Sequence, residues 1–252
     1  FDKTIMREKV LRIREIAEHF SETEIESYLN SFNDRYLLGY GPEQILAHMK
    51  CLLEAHKTGL SVQCTEQTDL NASEFVVCTR DRHGLFAQIA GALSSQLANV
   101  RSAALFTRDD GWVVDSFLVD HAAHNRPLTS DEVKAVTQAL RHVVLESGDI
   151  GAYVESSRKR LFALTRQTAI VRPSVEFDNS ASRTDTVIDL VAADRTGLLY
   201  DVAHTLSEMG IDFNAAHIMT DVGCARDAFY VRMNGHKLEN EKLKDWVARR
   251  LY

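Results

Sequence analysis

The sequence predicts an α+β fold in which two copies of one βαββα unit follow a short helical segment. The first indication is an Asp-Arg-x-Gly-Leu segment that occurs twice, beginning at Asp81 and at Asp194, an offset of 113 residues. The second is that β-rich runs and runs of helical period follow both copies in the same order. The third is that residues 227–231 repeat residues 115–119 at an offset of 112. A length change of one residue in a turn is typical of a duplicated unit, because loops tolerate it and strands do not.

Composition limits the classes of protein that fit. A chain of 252 residues, 45% hydrophobic and 26% charged, is long enough for two compact units with an appendage. No apolar run reaches the roughly 18 to 20 residues of a membrane span. The net charge of −7 disfavours binding to nucleic acid. We therefore expect neither a membrane nor a nucleic-acid partner.

The cysteines and the first residues indicate a cytoplasmic protein. The four cysteines are widely spaced and form neither a Cys-x-x-Cys pair nor a block at zinc-ligand spacing. Reduced thiols in the cytoplasm fit this pattern best. The first turn carries Asp2, Lys3 and Arg7 instead of the basic and apolar regions of a signal peptide. Because Phe1 stands where an initiator Met would be, we expect the chain to be a piece of a longer protein.

Residues 1–60 are predicted to form a helical lead-in. Apolar residues recur at steps of three and four over residues 6–20, which is the stripe of an amphipathic helix. Ser21 and Glu24 have the spacing of a capping box, so a second helix is expected to begin there. Pro42 suits the first position of a third helix.

The first repeat is predicted over residues 74–147, after a linker at 61–73 that is polar and lacks helical period. A short β-rich run precedes the loop, and a helix follows it. An Asp-Gly pair at 110–111 between two β-rich runs predicts a hairpin. Thr129, with Glu132 three residues later, is expected to begin the last helix of the repeat.

The second repeat is predicted over residues 183–252 and contains the same elements. Its last helix leaves no room for a fourth strand. We therefore predict that an extra strand near 172–178, within a connector at 148–182, supplies the missing edge of the sheet. Residues 148–170 of this connector are predicted to be helical.

The loop in each repeat has the chemistry of a receptor for an amino acid. Gly84 and Gly197 allow the backbone to approach a ligand without a Cβ in the way. Amides at the start of the following helix attract a carboxylate, and Asp81 and Asp194 could accept an α-ammonium group. In the alternative reading the two aspartates only cap their helices and the neighbouring arginines face solvent. The occurrence of two copies in the same register leaves both readings open.

The predicted ligand-binding residues are the two loops together with an asparagine near the second strand of each repeat, although asparagine before a strand is also common in turns. No catalytic residue and no metal ligand is predicted, because His121 and His124 are interpreted as loop residues. The predicted ligand-binding set comprises Asp81, Arg82, His83, Gly84, Leu85, Phe86 and Asn99 in the first repeat, and Asp194, Arg195, Thr196, Gly197, Leu198, Leu199 and Asn214 in the second.

At these loops the sequence resembles the ACT family of amino-acid-binding regulatory domains. The hallmark of that family is an Asp-Arg-Pro-Gly-Leu-like loop, to which residues 81–85 and 194–198 are similar. The resemblance covers residues 74–146 and 184–251 and implies two ferredoxin-like domains, each βαββαβ, in tandem. His83 and Thr196 replace the family's loop proline, which loosens a backbone that proline would preset.

More narrowly, the sequence is similar to the tandem C-terminal ACT pair of the bacterial PII uridylyltransferase/uridylyl-removing enzymes. Residues 81–93, 186–188 and 194–201 carry the similarity, with 177–179 before the second loop. The lead-in at 36–53 is similar to the helical segment that enters the first ACT domain in those enzymes.

This resemblance implies a glutamine sensor. In that family glutamine binds the ACT pair and switches the enzyme between uridylylating the PII signalling protein and removing the uridylyl group. Those reactions need a divalent metal such as Mg²⁺, but the sequence contains neither the nucleotidyltransferase Asp-x-Asp pair nor a phosphohydrolase His-Asp dyad. We therefore expect a regulatory region without a cofactor of its own, which contacts PII through a catalytic part elsewhere and could form a homodimer.

Three rival functions stay open at the level of sequence. One is an intact enzyme, which would have to transfer a uridylyl group with this chain alone. A stand-alone ACT-repeat protein that senses another amino acid would have the same loops. A degenerate ACT dimerisation module would retain the fold without a ligand.

Overall fold

A computed structural model describes residues 3–32, 34–146, 148, 150–152, 154–155, 171–193, 195, 197–221 and 224–251. The chain divides into two compact units. Unit 1 consists of Phe1–Gln63, Val76–Asp81 and Phe106–Asp115, and unit 2 consists of Cys64–Phe75, Arg82–Leu105 and Ser116–Tyr252. Within these described ranges, no helix is both long and apolar enough to cross a membrane.

Unit 1 contains the predicted helical lead-in. Its helices are α1 (Lys3–Ile16), α2 (Glu22–Asn30), α3 (Asp34–Gly39) and α4 (Pro42–Thr58). The capping box is confirmed, since the Ser21 N–H donates to the Glu24 carboxylate at 2.7 Å and the Glu24 N–H donates to the Ser21 hydroxyl at 3.3 Å. Helix α3 was not predicted, because six residues are too few for a helical period to stand out.

A chain of buried hydrogen bonds joins α2, α3 and α4. The hydroxyl groups of Tyr28 and Tyr36 lie 2.6 Å apart, and the Tyr36 hydroxyl lies 2.9 Å from Nδ1 of His48. The guanidinium carbon of Arg108 lies 5.4 Å from the centre of the Tyr28 ring. All three hydrogen-bonded residues are buried. Burial lowers the pKa of His48 to about 4, because the protein interior solvates the imidazolium poorly.

His48 is expected to make the stability of the protein depend on pH. Its pKa is lower in the folded chain than in the unfolded chain, so the unfolded chain binds the extra proton between about pH 4 and pH 6.5. The stabilising contribution is therefore complete above pH 6.5 and is lost as the pH falls. Between neutral pH and about pH 5, the free energy of unfolding of the wild type should fall by about 2 kcal/mol relative to that of His48→Gln.

Urea unfolding of both proteins at the two pH values measures this difference. His19→Gln, at an exposed histidine of the same unit, is the matched control and should follow the wild type. Parallel pH dependence of His48→Gln and the wild type would contradict the prediction.

Unit 2 is built on a sheet whose neighbouring strands are hydrogen-bonded in the order β1-β2-β4-β3-β7-β9-β6-β5, with β8 beside β9. Strands β1, β2 and β4 also extend into unit 1. The strands are β1 (Leu60–Gln67), β2 (Ala72–Arg80), β3 (Ala98–Ala104), β4 (Trp112–His121), β5 (Ser174–Asp178), β6 (Thr186–Ala193), β7 (Ile211–His217), β8 (Thr220–Asp221) and β9 (Cys224–Met233).

The helices of unit 2 are α5 (Leu85–Ser95), α6 (Ser130–Leu145), α7 (Leu198–Glu208) and α8 (Glu241–Leu251). Helix α5 packs against α6, α7 and β3, so it is buried over nearly its whole length. The predicted capping box of α6 is confirmed, because the Thr129 N–H donates to the Glu132 carboxylate at 2.7 Å.

The two repeats pair about an approximate two-fold axis. Ala103 of β3 pairs with Ala216 of β7, and these two residues are equivalent at the offset of 113. Each of these strands also carries a β-bulge at the same position, at Arg101 in β3 and at Asn214 in β7. Bulges at equivalent positions are inherited features of a fold and not defects. The predicted α+β class, with two ferredoxin-like domains in tandem, is confirmed.

The predicted extra strand is also confirmed. Strand β5 lies at the edge of the sheet and pairs antiparallel with β6, from Ser174 opposite Val191 to Asp178 opposite Val187. Of the predicted helical connector, residues 150–152 and 154–155 are helical, whereas 156–170 lie outside the described residues.

The predicted linker at 61–73 is wrong for most of its length. Residues 60–67 form β1, the edge strand beside β2, and a short 3₁₀ turn at 68–70 follows it. An edge strand pairs on one side only and exposes many of its side chains, so its composition is as polar as that of a linker. Both repeats therefore take their outer strand from the preceding segment of the chain.

Candidate ligand site

Both loops have the backbone conformation that the sequence predicts. Gly84 and Gly197 have φ values of +77° and +78°, in the left-handed region that favours glycine. The N–H of Leu85 donates to the carbonyl of Arg82 at 3.1 Å, and the N–H of Leu198 donates to the carbonyl of Arg195 at 3.0 Å. Each glycine is the N-cap residue of the following helix, so Asp81 does not occupy the N-cap position of α5.

Several predicted residues of the first loop have other partners. The Asp81 N–H donates to the carbonyl of Gly111 at 2.9 Å within unit 1. Leu85 and Phe86 are buried in the core, where the centre of the Phe86 ring lies 4.8 Å from that of Phe213. The predicted residues Asp194 and Thr196 of the second loop lie outside the described residues, so their roles stay predictions.

Arg82 binds the C-terminal end of α6. Its guanidinium donates to the carbonyl of Val144 at 2.8 Å, to that of Val143 at 3.1 Å and to Oε1 of Gln88 at 2.6 Å. A cation at this end of a helix satisfies carbonyl groups that have no partner within the helix and interacts favourably with the helix dipole. Arg82 is thus exposed to solvent, as in the alternative reading, and also binds the end of α6.

Arg82 and Arg195 are expected to differ in their effect on stability. Arg82→Met removes the hydrogen bonds to α6 and should lower the free energy of unfolding by about 1 kcal/mol, a value limited by the exposure of the side chain. Arg195 occupies the equivalent position and pairs with Asp201 at 2.6 Å, with about half of its side chain exposed.

Arg195→Met should therefore change stability less than Arg82→Met does. Urea unfolding of the two variants compares them. Equal losses of stability would contradict the role assigned to Arg82.

The second loop lines a cavity in unit 2. Its volume is about 30 Å³, the space of about two water molecules. Of the predicted site residues, the structure brings Arg195, Gly197, Leu198, Leu199 and Asn99 together here. The remaining lining residues come from the end of α5, from β3, and from the hairpin of the second repeat: Ser94, Ala98, Val100, Ile218, Ala225 and Asp227.

A buried carboxylate in this cavity was not predicted. Asp227, on β9, is 4% exposed and accepts a hydrogen bond from the Met219 N–H at 3.2 Å. Its equivalent in the first repeat is Asp115, which accepts from the Phe106 N–H at 3.1 Å. The signal was present in the sequence, because both repeats place an aspartate at the same position of an otherwise apolar β-run.

Asn99 is held in a defined orientation at the cavity. Its Nδ2 donates to Oδ1 of Asp120 at 3.2 Å. Arg101 lies 3.7 Å from the other oxygen of the same carboxylate. Burial raises the pKa of Asp120, whereas the hydrogen bond from Asn99 and the charge of Arg101 lower it. Because the amide nitrogen points to Asp120, the amide oxygen of Asn99 points the other way.

Asn214 and His83 do not line this cavity. Asn214 donates to the carboxylate of Asp185, which also accepts from Arg232 at 2.8 Å. The His83 imidazole bonds instead to residues of the second repeat, with Nδ1 3.1 Å from Oδ1 of Asp212 and Nε2 2.8 Å from the carbonyl of Ser207.

The histidines at the end of β4 interact with each other and with a carboxylate. The rings of His121 and His124 stack at 4.6 Å, and Nε2 of His121 lies 3.5 Å from Glu132. In the part of the chain that the structure describes, no group of three or more His, Cys, Asp or Glu side chains is placed to hold a metal ion.

The repeated loop, helix and paired strands define tandem ACT-like domains. Residues 174–252 match the family model described as "ACR9-like, ACT-like domain". The match begins at the first residue of β5, which agrees with the place of that strand in the second domain.

Over most of its length the chain is similar to bifunctional uridylyltransferase/uridylyl-removing enzymes. It is 32% identical to that of Phenylobacterium zucineum (strain HLK1) over 222 residues, which are 87% of this chain and 23% of the relative. The corresponding enzyme of Rhodospirillum rubrum is 30% identical over 209 residues, 82% of this chain and 22% of the relative. That of Vibrio vulnificus (strain YJ016) is 28% identical over 245 residues, 94% of this chain and 27% of the relative. The resemblance seen in the sequence is confirmed, and the chain spans about a quarter of the length of these curated relatives.

Proposed function

We propose that this chain is an amino-acid-sensing regulatory region and that glutamine binds in the cavity between the second loop and β3. One observation carries the proposal. The cavity brings a buried carboxylate, a guanidinium, the start of a helix and an oriented amide together where the two repeats meet. As part of a longer enzyme, the region would control uridylylation of the PII signalling protein and removal of the uridylyl group.

The charged groups of the cavity are suited to both ends of an amino acid. The Asp227 carboxylate accepts from the Met219 N–H and has the charge that attracts an α-ammonium group. Arg195 can exchange its ion pair with Asp201 for a two-point contact with the α-carboxylate. The first turn of α7, at Gly197–Leu199, adds the partial positive charge of a helix start.

The amide at Asn99 favours glutamine over glutamate. The oxygen of the Asn99 amide can accept a hydrogen bond from the side-chain NH₂ of glutamine. A glutamate carboxylate at the same place would meet this oxygen, with the Asp120 carboxylate behind it. The cavity would then distinguish glutamine from glutamate by repelling the glutamate carboxylate as well as by attracting the glutamine amide.

Glutamine binding requires that the cavity widen. A volume of about 30 Å³ accommodates water but not an amino acid. Arg195 lies at the rim with an exposed side chain, so its movement away from Asp201 is one way to open the cavity. A ligand that binds only the wider cavity shifts the chain toward the conformation in which the cavity is open. Binding would regulate an attached catalytic part through this shift.

Isothermal titration calorimetry of the whole chain with each common amino acid tests the proposal. Saturable binding of glutamine without binding of glutamate is expected. Saturation by another amino acid would contradict the specificity and favour a sensor of that compound. If no amino acid bound, the proposed function would be wrong.

A further inference from the structure

Unit 1 contains a pocket that the proposed function does not use. Its volume is about 260 Å³, and its apolar lining consists of Phe20, Met49, Leu52 and Leu53 together with the ring of Tyr28. Every lining residue belongs to unit 1, and none of them lines the cavity proposed for glutamine. Because a cavity of roughly 150 Å³ can hold benzene, this pocket has room for a ring or a short alkyl chain with a head group. We call it the unit 1 pocket.

Arg108 brings a positive charge to the lining of the unit 1 pocket. Its side chain is 9% exposed, and its Nε and Nη2 donate to the Asp110 carboxylate at 3.0 Å and 2.9 Å. The guanidinium carbon lies 5.4 Å from the centre of the Tyr28 ring and 5.6 Å from that of Phe32. Among the residues that the structure describes, none accepts a hydrogen bond from Nη1. A guanidinium that is withdrawn from water and keeps an unused donor is suited to bind a carboxylate.

The other polar groups of the pocket favour a ligand with a single negative charge. Burial, and then the charge of Arg108, lower the pKa of His56, so its imidazole is neutral at pH 7 and can donate a hydrogen bond. The Glu24 carboxylate accepts from the N–H and from the hydroxyl of Ser21, both at 2.7 Å. With the Glu24 and Asp110 carboxylates close by, a doubly charged phosphate would be repelled more strongly than a carboxylate.

We propose that the unit 1 pocket binds a small monocarboxylate with an apolar body, of the class of medium-chain or aryl-substituted acids. The carboxylate accepts a hydrogen bond from Nη1 of Arg108. The apolar body lies against Met49, Leu52 and Leu53, where its removal from water supplies the driving force. The guanidinium fixes the orientation of the ligand.

Such a ligand would tie together separate segments of unit 1. Tyr28 belongs to α2, the three apolar residues belong to α4, and Arg108 belongs to the turn between β3 and β4. A ligand that binds only the folded arrangement of these segments stabilises it. The helical lead-in would therefore respond to a second kind of metabolite, chemically unlike glutamine.

Octanoate is the probe for this pocket, and the methyl signals of ¹³C-labelled methionines are the readout. The chain contains five methionines, and Met49 is the one among the described lining residues. Its signal, identified by its loss in Met49→Leu, should shift and saturate with a Kd of about 1 mM or lower. The other methionine signals should keep their positions. A Met49 signal that does not respond to about 10 mM octanoate would overturn the proposal.

The neutral analogue octanamide tests the role of the charge. It should bind about tenfold more weakly than octanoate, because it cannot form a charge-assisted pair with Arg108. In Arg108→Met the two probes should bind equally well, a comparison within one variant that does not depend on its stability. Equal affinities in the wild type would overturn the proposal, as would a preference for octanoate that persists in Arg108→Met.

Leu53→Trp tests the location of the site without disturbing the core. Leu53 is 45% exposed, so a larger side chain there can fill the pocket and should abolish the response of Met49 to octanoate. Leu38→Trp, at a residue of α3 that is 50% exposed and outside the lining, is the matched control and should bind octanoate as the wild type does. Unchanged binding in Leu53→Trp would place the ligand elsewhere and overturn the proposal. None of these titrations contains glutamine, so their outcome leaves the proposed function untouched.

Discussion

Asp227→Asn is expected to lower the affinity of the cavity for glutamine by about 100-fold, which corresponds to roughly 3 kcal/mol. The carboxylate is 4% exposed, and its partner in the proposed complex is the α-ammonium group. Removal of one member of a buried charge pair costs about 2 to 5 kcal/mol, because the other charge is left without compensation. The neutral amide preserves the shape of the side chain and can still accept from Met219.

Asp115→Asn is the matched control for this measurement. It makes the same substitution at the equivalent position of the first repeat and should leave the affinity unchanged. Calorimetric titration of both variants with glutamine gives the comparison. Wild-type affinity in Asp227→Asn would refute the assignment of this carboxylate to the ammonium group.

Asp115→Asn has the second large expected effect, which is on stability. Burial raises the pKa of Asp115 to about 8, the Phe106 N–H opposes the shift, and the nearby charge of Asp81 adds to it. The folded chain therefore holds a proton that the unfolded chain releases above about pH 4. This makes the wild type less stable as the pH rises from about 4 to 8, by about 1.4 kcal/mol for each pH unit.

The asparagine variant removes this dependence, because an amide does not titrate. The buried NH₂ group of the asparagine lowers the free energy of unfolding by about 1 to 3 kcal/mol. Protonation of the buried aspartate lowers that of the wild type by about 4 kcal/mol at pH 7. The variant should therefore be more stable than the wild type by about 1 to 3 kcal/mol at pH 7, and by less at pH 5.

Chemical unfolding at both pH values measures the difference. Asp109→Asn, at an exposed aspartate in the adjacent turn, should match the wild type. A variant less stable than the wild type at pH 8 would show that Asp115 is ionised and paired in the folded chain.

Local signals predicted most of the fold. The repeated loop, the capping residues and the turn glycines are each determined by a few adjacent residues, so Gly84, Gly197, Ser21 and Thr129 could be interpreted without coordinates. The extra strand β5 followed from a count of the strands that each repeat needs. The same count would have predicted β1, but its polar edge composition indicated a linker.

The candidate site could be predicted only in part, because it depends on contacts between distant segments. Asn99 and the second loop, which are both in the predicted ligand-binding set, meet at the cavity. Arg82 could not be distinguished from Arg195 by sequence, since the difference lies in the C-terminal end of α6, about sixty residues away. The sequence could not show that the His83 imidazole bonds to Asp212, because these residues are far apart in the chain and belong to different repeats.

The brief pairing of β3 with β7 has a mechanical consequence. The described register between these strands is Ala103 opposite Ala216, two small side chains at the centre of a long sheet. One residue pair of strand register thus joins the two halves of the sheet, while α5 and α7 hold the repeats together more extensively. Substitutions that disturb the packing of α5 on α7 are therefore expected to loosen one repeat from the other more than substitutions at Ala103 or Ala216 that keep the backbone pairing.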